Sequence, residues 1–414
     1  MRHLKSIFSI LVYRAAPGLI NLASLLTLAR LVSVEKYGIY SVMMATGNFL
    51  SSALFGTLIF SVVSKYAPFE RSGLLKAFIG NNTVLFLPLA AGVLLLGWVG
   101  SQLFGYPYAP VPMAVALSMH AILQELTRAA LRIRLYALSD LIQAVLFLVF
   151  IHAFVSAATP VSDIALLFTA SYVFAALLNI AVFFRMLAPR FDLAISKEVL
   201  HMGGWLVVGN FSETALTLGA RYLMLGLGER VILGQFSLAV DIAQRTIGFM
   251  VNAMSFLFVP RAFAAEQDGD EGAFRREILR GGAAAIALGA LVTVGLIGST
   301  LLPLRWLDPI RAHPLVFALV AAAVVTTRLR KLIVDPFAMK HKRIYYLVFA
   351  NLLGAGVGLA LIYGLLRVHI GLGAAIGYLS GWLVIFTFGA APFAAEILGF
   401  KTRPAPLPLG EKAS

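Results

Sequence analysis

Long apolar runs alternate with short polar breaks along the whole chain. Twelve runs stand out: 7–32, 37–65, 73–100, 110–133, 136–157, 162–187, 199–227, 231–261, 276–302, 314–335, 343–366 and 370–398. A helix crosses a bilayer with roughly 20 to 25 residues, and each run reaches that scale. Barrel strands read as short alternating segments, whereas these runs are continuous, so the pattern predicts spanning helices. The softest boundary is Leu135–Tyr136, where the fourth and fifth runs nearly merge. The expected fold is an all-α integral membrane protein of about twelve transmembrane helices.

Composition agrees. Of 414 residues, 60% are hydrophobic and 13% charged, with a mean hydropathy of +0.90. A soluble domain carries about 25% charged residues to face water. The absence of cysteine excludes disulfides and thiolate chemistry.

The net charge of +14 distributes by topology. With the N-terminus in the cytoplasm, 24 of the 33 Lys and Arg residues fall in inner loops or at inner helix ends, and six fall outside. That bias is the cytoplasmic excess of basic residues, and it removes the case for nucleic-acid binding. It supports the number of spans and an orientation with both termini cytoplasmic; the expected location is the cell inner membrane. Arg2 and Lys5 precede an apolar run as in a signal peptide. That run contains Arg14 and outlasts a typical signal core, so it reads as an uncleaved first helix.

The polar stretch Arg185 to Lys197 divides the chain into an N-terminal six-helix bundle, 1–190, and a C-terminal one, 191–400. The segment 401–414 holds three prolines and little to bury, and reads as a disordered cytoplasmic tail. The halves echo each other. Arg30, Gly38-Ile39-Tyr40-Ser41 and Pro68 recur as Arg221, Gly234-Gln235-Phe236-Ser237 and Pro260, at offsets of 191, 196 and 192. Halves of six helices share one orientation, so this predicts a parallel repeat around a central cavity.

Ionisable groups inside spans are costly and face a protein interior or a hydrated cavity. Helix one carries Arg14 and Asn21 on one face, with Pro17 as a kink. Helix four carries His120, Gln124 and Arg128, with Glu125 beside them. Helix seven carries Asn210, Glu213, Thr214, Thr217 and Arg221, and helix eight Asp241, Gln244, Arg245 and Asn252. Candidate substrate-binding residues are Arg14, Asn21, Arg128, Asn210, Arg221 and Arg245, with Glu125, Glu213 and Asp241 as charge partners or carriers of a coupling proton or Na⁺. Guanidinium forks suit phosphate. Alternatively, Asp241–Arg245 and Glu125–Arg128 only neutralise each other along their own helices. Arg328, Arg330, Lys331, Lys340, Lys342 and Arg343 read as a basic surface facing anionic lipid. No nucleophile-elbow, Walker A or zinc-protease motif occurs, so no enzyme, metal or other cofactor is expected.

The stretch Ala29-Arg30-Leu31-Val32-Ser33-Val34-Glu35-Lys36-Tyr37-Gly38-Ile39-Tyr40-Ser41 resembles the turn between the first two helices of Wzx-type oligosaccharide flippases. Their superfamily also contains multidrug and toxin extrusion proteins and lipid II flippases. Arg221 to Ala239 resembles the matching turn in the second half, with Arg221-Tyr-Leu-Met where that family often has Asp-Arg, and Phe236 in place of Tyr. The resemblance implies a V of two bundles around a cationic cavity. It implies a polyprenyl-pyrophosphate-linked anionic oligosaccharide as substrate, carried across by rocking of the halves. Arg14, Arg128 and Arg245 would meet the phosphate and anionic sugar. Membrane lipid and polysaccharide assembly proteins would be its other partners.

Three rivals remain. A cation-coupled drug extruder would favour an acidic, aromatic cavity. A lipid II flippase would carry two further helices. A membrane glycosyltransferase or polymerase would need a large catalytic loop, and the longest outer loop, Leu302 to His313, offers only Asp308.

Overall fold

A computed structural model describes residues 2–299, 313–341, 343, 345–367 and 370–400. Side chains before Ala16 and most of those in 201–210 also lie outside the described residues, Arg14 and Asn210 among them. The tail 401–414, and Asp308 with most of its loop, fall outside too.

The first six helices are α1 (Arg2–Leu31), α2 (Val34–Arg71), α3 (Leu75–Phe104), α4 (Pro110–Ala129), α5 (Ile133–Phe154) and α6 (Val161–Phe183). Next come α7 (Leu193–Gly226) and α8 (Arg230–Ala243), which runs through a π turn (Gln244–Gly248) into α9 (Phe249–Gln267). α10 is Glu271–Ser299. α11 (Pro314–Leu329) runs through a second π turn (Arg330–Val334) into α12 (Asp335–Lys340). α13 (Tyr345–Leu366) and α14 (Ile370–Ala390) complete the set, with a 3-10 turn and the short α15 (Ala394–Leu398) at the end. Counting each interrupted pair as one rod, the described residues form twelve helical rods and no strand.

The helix ends follow local chemistry. Ser33 caps α2 by accepting from the Lys36 amide at 3.2 Å, and Asp192 caps α7 by accepting from the Ala194 and Ile195 amides. The fourth run breaks earlier than its hydropathy suggests, at Ala130–Arg132, where Leu131 adopts φ 54°. No Gly or Pro marks that turn, and apolar residues continue through it, so the pattern hides it. Seven of the described helices are apolar and long enough to cross a bilayer individually. Among those that miss that measure, α4, α7, α8 and α11 carry their polar groups in mid-span.

Packing repeats between the halves. α1 lies on α5 as α7 lies on α13, and α4 lies on α6 as α11 lies on α14. The chain is a multi-pass membrane protein of two six-helix bundles around a cavity. The bundles meet along α2, which contacts both α7 and α8. α7 changes company along its length. Its start packs on the first half, through Ile195 and Val199 against the Phe78 cluster and an ion pair from Glu198 to Lys65. Its later part packs on α13, where Gly219 meets Leu359. Below, the face carrying the α2–α3 and α6–α7 connections is called the basic face.

At the opposite face the repeated glycines of the sequence touch. A Cβ on Gly38 would stand 2.8 Å from the Gly234 backbone nitrogen, and one on Gly234 would collide with the Val34 carbonyl oxygen. Only glycine permits this approach of α2 to α8.

A candidate substrate cavity

A cavity of about 450 Å³ lies between the halves. α1 contributes Asn21, Leu25 and Leu28, which share a helix face, and α2 contributes Tyr37, Tyr40, Met44 and Asn48. α7 presents Glu213, Thr214, Thr217 and Arg221 as one stripe, and α8 with its π turn presents Asp241, Gln244 and Arg245. α11 and the second π turn add Thr327, Arg328 and Lys331, and α14 adds Trp382. Arg328 sits about 20 Å along the rod from Pro314, near the end of α11.

The charges sort into three groups. The first closes the cavity at the opposite face. Arg221, 5% exposed, donates to Asp241 Oδ1 at 2.8 Å and to the backbone carbonyl of Ser41 at 3.1 Å. The Tyr37 hydroxyl donates to Asp241 Oδ2 at 2.7 Å. Tyr37 and Ser41 belong to α2, and Arg221 and Asp241 to the second half, so the network spans both bundles. Thr46 of α2 and Tyr222 of α7 share a further bond of 2.9 Å.

The second group lies deeper. Glu213 accepts from Arg330 at 3.1 Å and pairs with Lys331 at 2.5 Å. Arg330 is 3% exposed, also donates to Asn351 Oδ1 at 2.8 Å, and lies 3.5 Å from Asp335. This network ties α7, the second π turn and α13 together within one half.

Arg245 and Arg328 form the third group. Each lines the cavity, and neither has an ion pair among the described residues. Arg328 Nε lacks a hydrogen-bond partner among the described residues. Gly248 leaves room for that guanidinium, because a Cβ there would stand 3.3 Å from Arg328 Nε and Nη2. Arg245 is part of the first π turn, and Arg328 lies two residues before the second. Such turns add a residue to the helical repeat and recur at functional sites. The described lining carries four cations and two acids, an excess of two positive charges.

Several expectations from the sequence meet different geometry. Asp241 does not neutralise Arg245 on its own helix. It pairs with Arg221 of α7, because the stripes of the two helices face each other. Arg128 does not reach the cavity: it pairs with Glu125 at 2.6 Å at the end of α4, half exposed, so both leave the cavity set. His120 and Gln124 turn into the first half instead, where Asp140 of α5 accepts from Gln124 at 2.9 Å and meets His120 at 3.3 Å. Arg328, Arg330 and Lys331 are not a lipid-facing surface. One is buried in an ion-pair network and two face the cavity. Asn21, Glu213, Arg221, Asp241 and Arg245 do come together at the cavity. Asn21 also donates to Gln143 of α5 at 3.3 Å.

The chain matches no protein-family model, and no curated protein matches it by sequence. Solved structures do match in shape. A MATE family multidrug resistance transporter of the MOP superfamily, solved inward-facing, has a TM-score of 0.56 at 15% identity, covering 94% of this chain and 96% of that one. An outward-facing structure of such a transporter gives 0.57 at 14% identity, covering 94% and 95%. A MOP superfamily transporter from Pyrococcus furiosus, described as having a binding pocket of reversed polarity that suggests a different function, gives 0.50 at 14% identity, covering 94% and 95%. The twelve-rod architecture around this cavity is therefore the fold of the MATE transporters of the MOP superfamily.

Proposed function

We propose that the chain is an alternating-access transporter that moves a polyprenyl-pyrophosphate-linked anionic oligosaccharide across the cytoplasmic membrane. The observation that carries this reading is the pair of guanidiniums, Arg245 and Arg328, that face the cavity with no ion pair of their own among the described residues. An uncompensated cation inside a membrane protein is costly unless a ligand supplies the charge. A pyrophosphate supplies it, with oxygens that match the guanidinium fork. Asn21, Asn48 and the aromatic wall of Tyr37, Tyr40 and Trp382 offer hydrogen bonds and stacking surfaces for sugar rings. Glu213 and Asp241 are the acids through which a proton or Na⁺ could couple, and no other cofactor is invoked.

The second reading is multidrug extrusion. Its support is the likeness to structures described as multidrug resistance transporters. A cationic drug would meet an excess of positive charge here, which disfavours it. The fold is compatible with pockets of either sign, as the reversed-polarity neighbour illustrates.

The test is the sidedness of lipid-linked oligosaccharide in cells depleted of the protein. Accumulation on the cytoplasmic face, with loss of surface glycan, supports the proposal. Normal arrival at the far face, with loss of cationic dye efflux, would replace it with the extrusion reading.

A further inference from the structure

A second cavity, larger than the central one at about 640 Å³, opens on the flank of the first half near the basic face. It lies between α2, α3, α4 and α6 and is lined by apolar side chains such as Val62, Ile79, Phe86, Met119, Ile122 and Ile180. Its volume lies within the range of about 300–1,000 Å³ typical of ligand sites. α3 forms its outer wall and is the spanning helix most open to the bilayer, with only 6% of its apolar window buried.

Two polar groups interrupt this lining. Asn82 is 3% exposed, and its Oδ1 accepts from Ser61 at 3.4 Å. Its Nδ2 is buried and has no hydrogen-bond partner among the described residues. Arg185, just past the end of α6, lines the mouth, is exposed and has no ion pair among the described residues. The groove therefore presents a cation at its mouth and an apolar hollow within.

We infer that this groove holds one anionic diacyl phospholipid of the basic-face leaflet. Its phosphate pairs with Arg185, and one acyl chain fills the hollow between α3, α4 and α6. A cation at the mouth above an apolar hollow matches the phosphate and chain of such a lipid. A zwitterionic lipid would bring its own cation to Arg185 and lose the discrimination. The site is independent of the central cavity and of what that cavity carries.

Native mass spectrometry of the full-length protein in mild detergent tests this, after delipidation and addition of phosphatidylglycerol or phosphatidylcholine. The wild type should retain one phosphatidylglycerol at concentrations at least tenfold below those needed for phosphatidylcholine. Arg185→Glu should erase that preference, and Met119→Trp should remove the bound lipid by filling the hollow. Arg185 is a surface residue, so its variant decides the matter even where the tryptophan variant does not fold. Equal retention of both lipids by the wild type, or unchanged preference in Arg185→Glu, would overturn the site. Displacement of phosphatidylglycerol by an equal concentration of polyprenyl phosphate would assign the groove to a carrier lipid instead, and would also overturn it.

Discussion

Arg221 of α7 donates to the backbone carbonyl of Ser41 on α2, at 3.1 Å, while its other terminal nitrogen holds Asp241 at 2.8 Å. One guanidinium thus bonds the first half through main chain and its own half through a carboxylate. Arg221→Met should leave Asp241 in a half-buried site with only Tyr37. Removing one member of a buried pair costs about 3–5 kcal/mol, so thermal unfolding in detergent should shift down clearly. Arg221→Lys keeps the charge but lacks the fork, and should lie between. The chain has no cysteine, so a single Tyr40→Cys reports access. Labelling from the opposite face should rise in the Met variant, and unchanged labelling would contradict the closing role.

Arg245 and Arg328 should behave differently from Arg221 and Arg330. Neither holds an ion pair among the described residues, so Arg245→Gln and Arg328→Gln should leave the amount of folded protein in the membrane unchanged. Losing a charge contact to a bound anion in a low-dielectric site costs on the order of 2–5 kcal/mol. Glycan export should therefore fall at least tenfold in each. Arg330→Met breaks the buried network with Glu213, Asp335 and Asn351, and should lower the stability of the protein itself. If all three variants lost protein equally, the division between ligand-facing and structural cations would fail.

Gly248 sets the room available to Arg328. A valine there would push the guanidinium aside, since even a Cβ would approach it at 3.3 Å. Gly248→Val should reproduce the export defect of Arg328→Gln with near-normal melting. Wild-type export in Gly248→Val would show that the position of Arg328 does not matter.

Methyl groups at the glycine contact act on closure. Gly234→Ala would put a Cβ into the Val34 carbonyl, so α2 and α8 must separate. Transport should drop while ligand access from the opposite face increases, read by the same Tyr40→Cys label. Gly226→Ala is the control, because no atom lies within 4 Å of a Cβ there.

Much of the architecture was legible in the sequence, because the faces that spanning helices turn to lipid must be apolar. The polar stripe from Glu213 to Arg221 was legible too, since the cost of burying charge makes it stand out. Arg328 and Lys331 were not. They sit in a basic cluster at the end of the run 314–335, just before Pro336. The π turn carries the rod on to Lys340, so that both residues turn inward. A spacing of three within an apolar run was the only signal. The partner of Asp241 was hidden for another reason: helical spacing shows neighbours on one helix, and Arg221 lies on the next. Arg128 misled because its spacing from His120 matches the helical repeat, although the cavity lies on another side of the bundle.

Gly38 and Gly234 hold equivalent places in the two halves, and each is the other's neighbour. A point that meets its own counterpart lies beside a two-fold axis, so this contact locates the axis relating the bundles. The contact is not the same from its two sides: a Cβ on Gly38 meets Gly234 and Leu233, while one on Gly234 meets Val34. The seal thus joins two related halves that have drifted apart in detail at their shared axis.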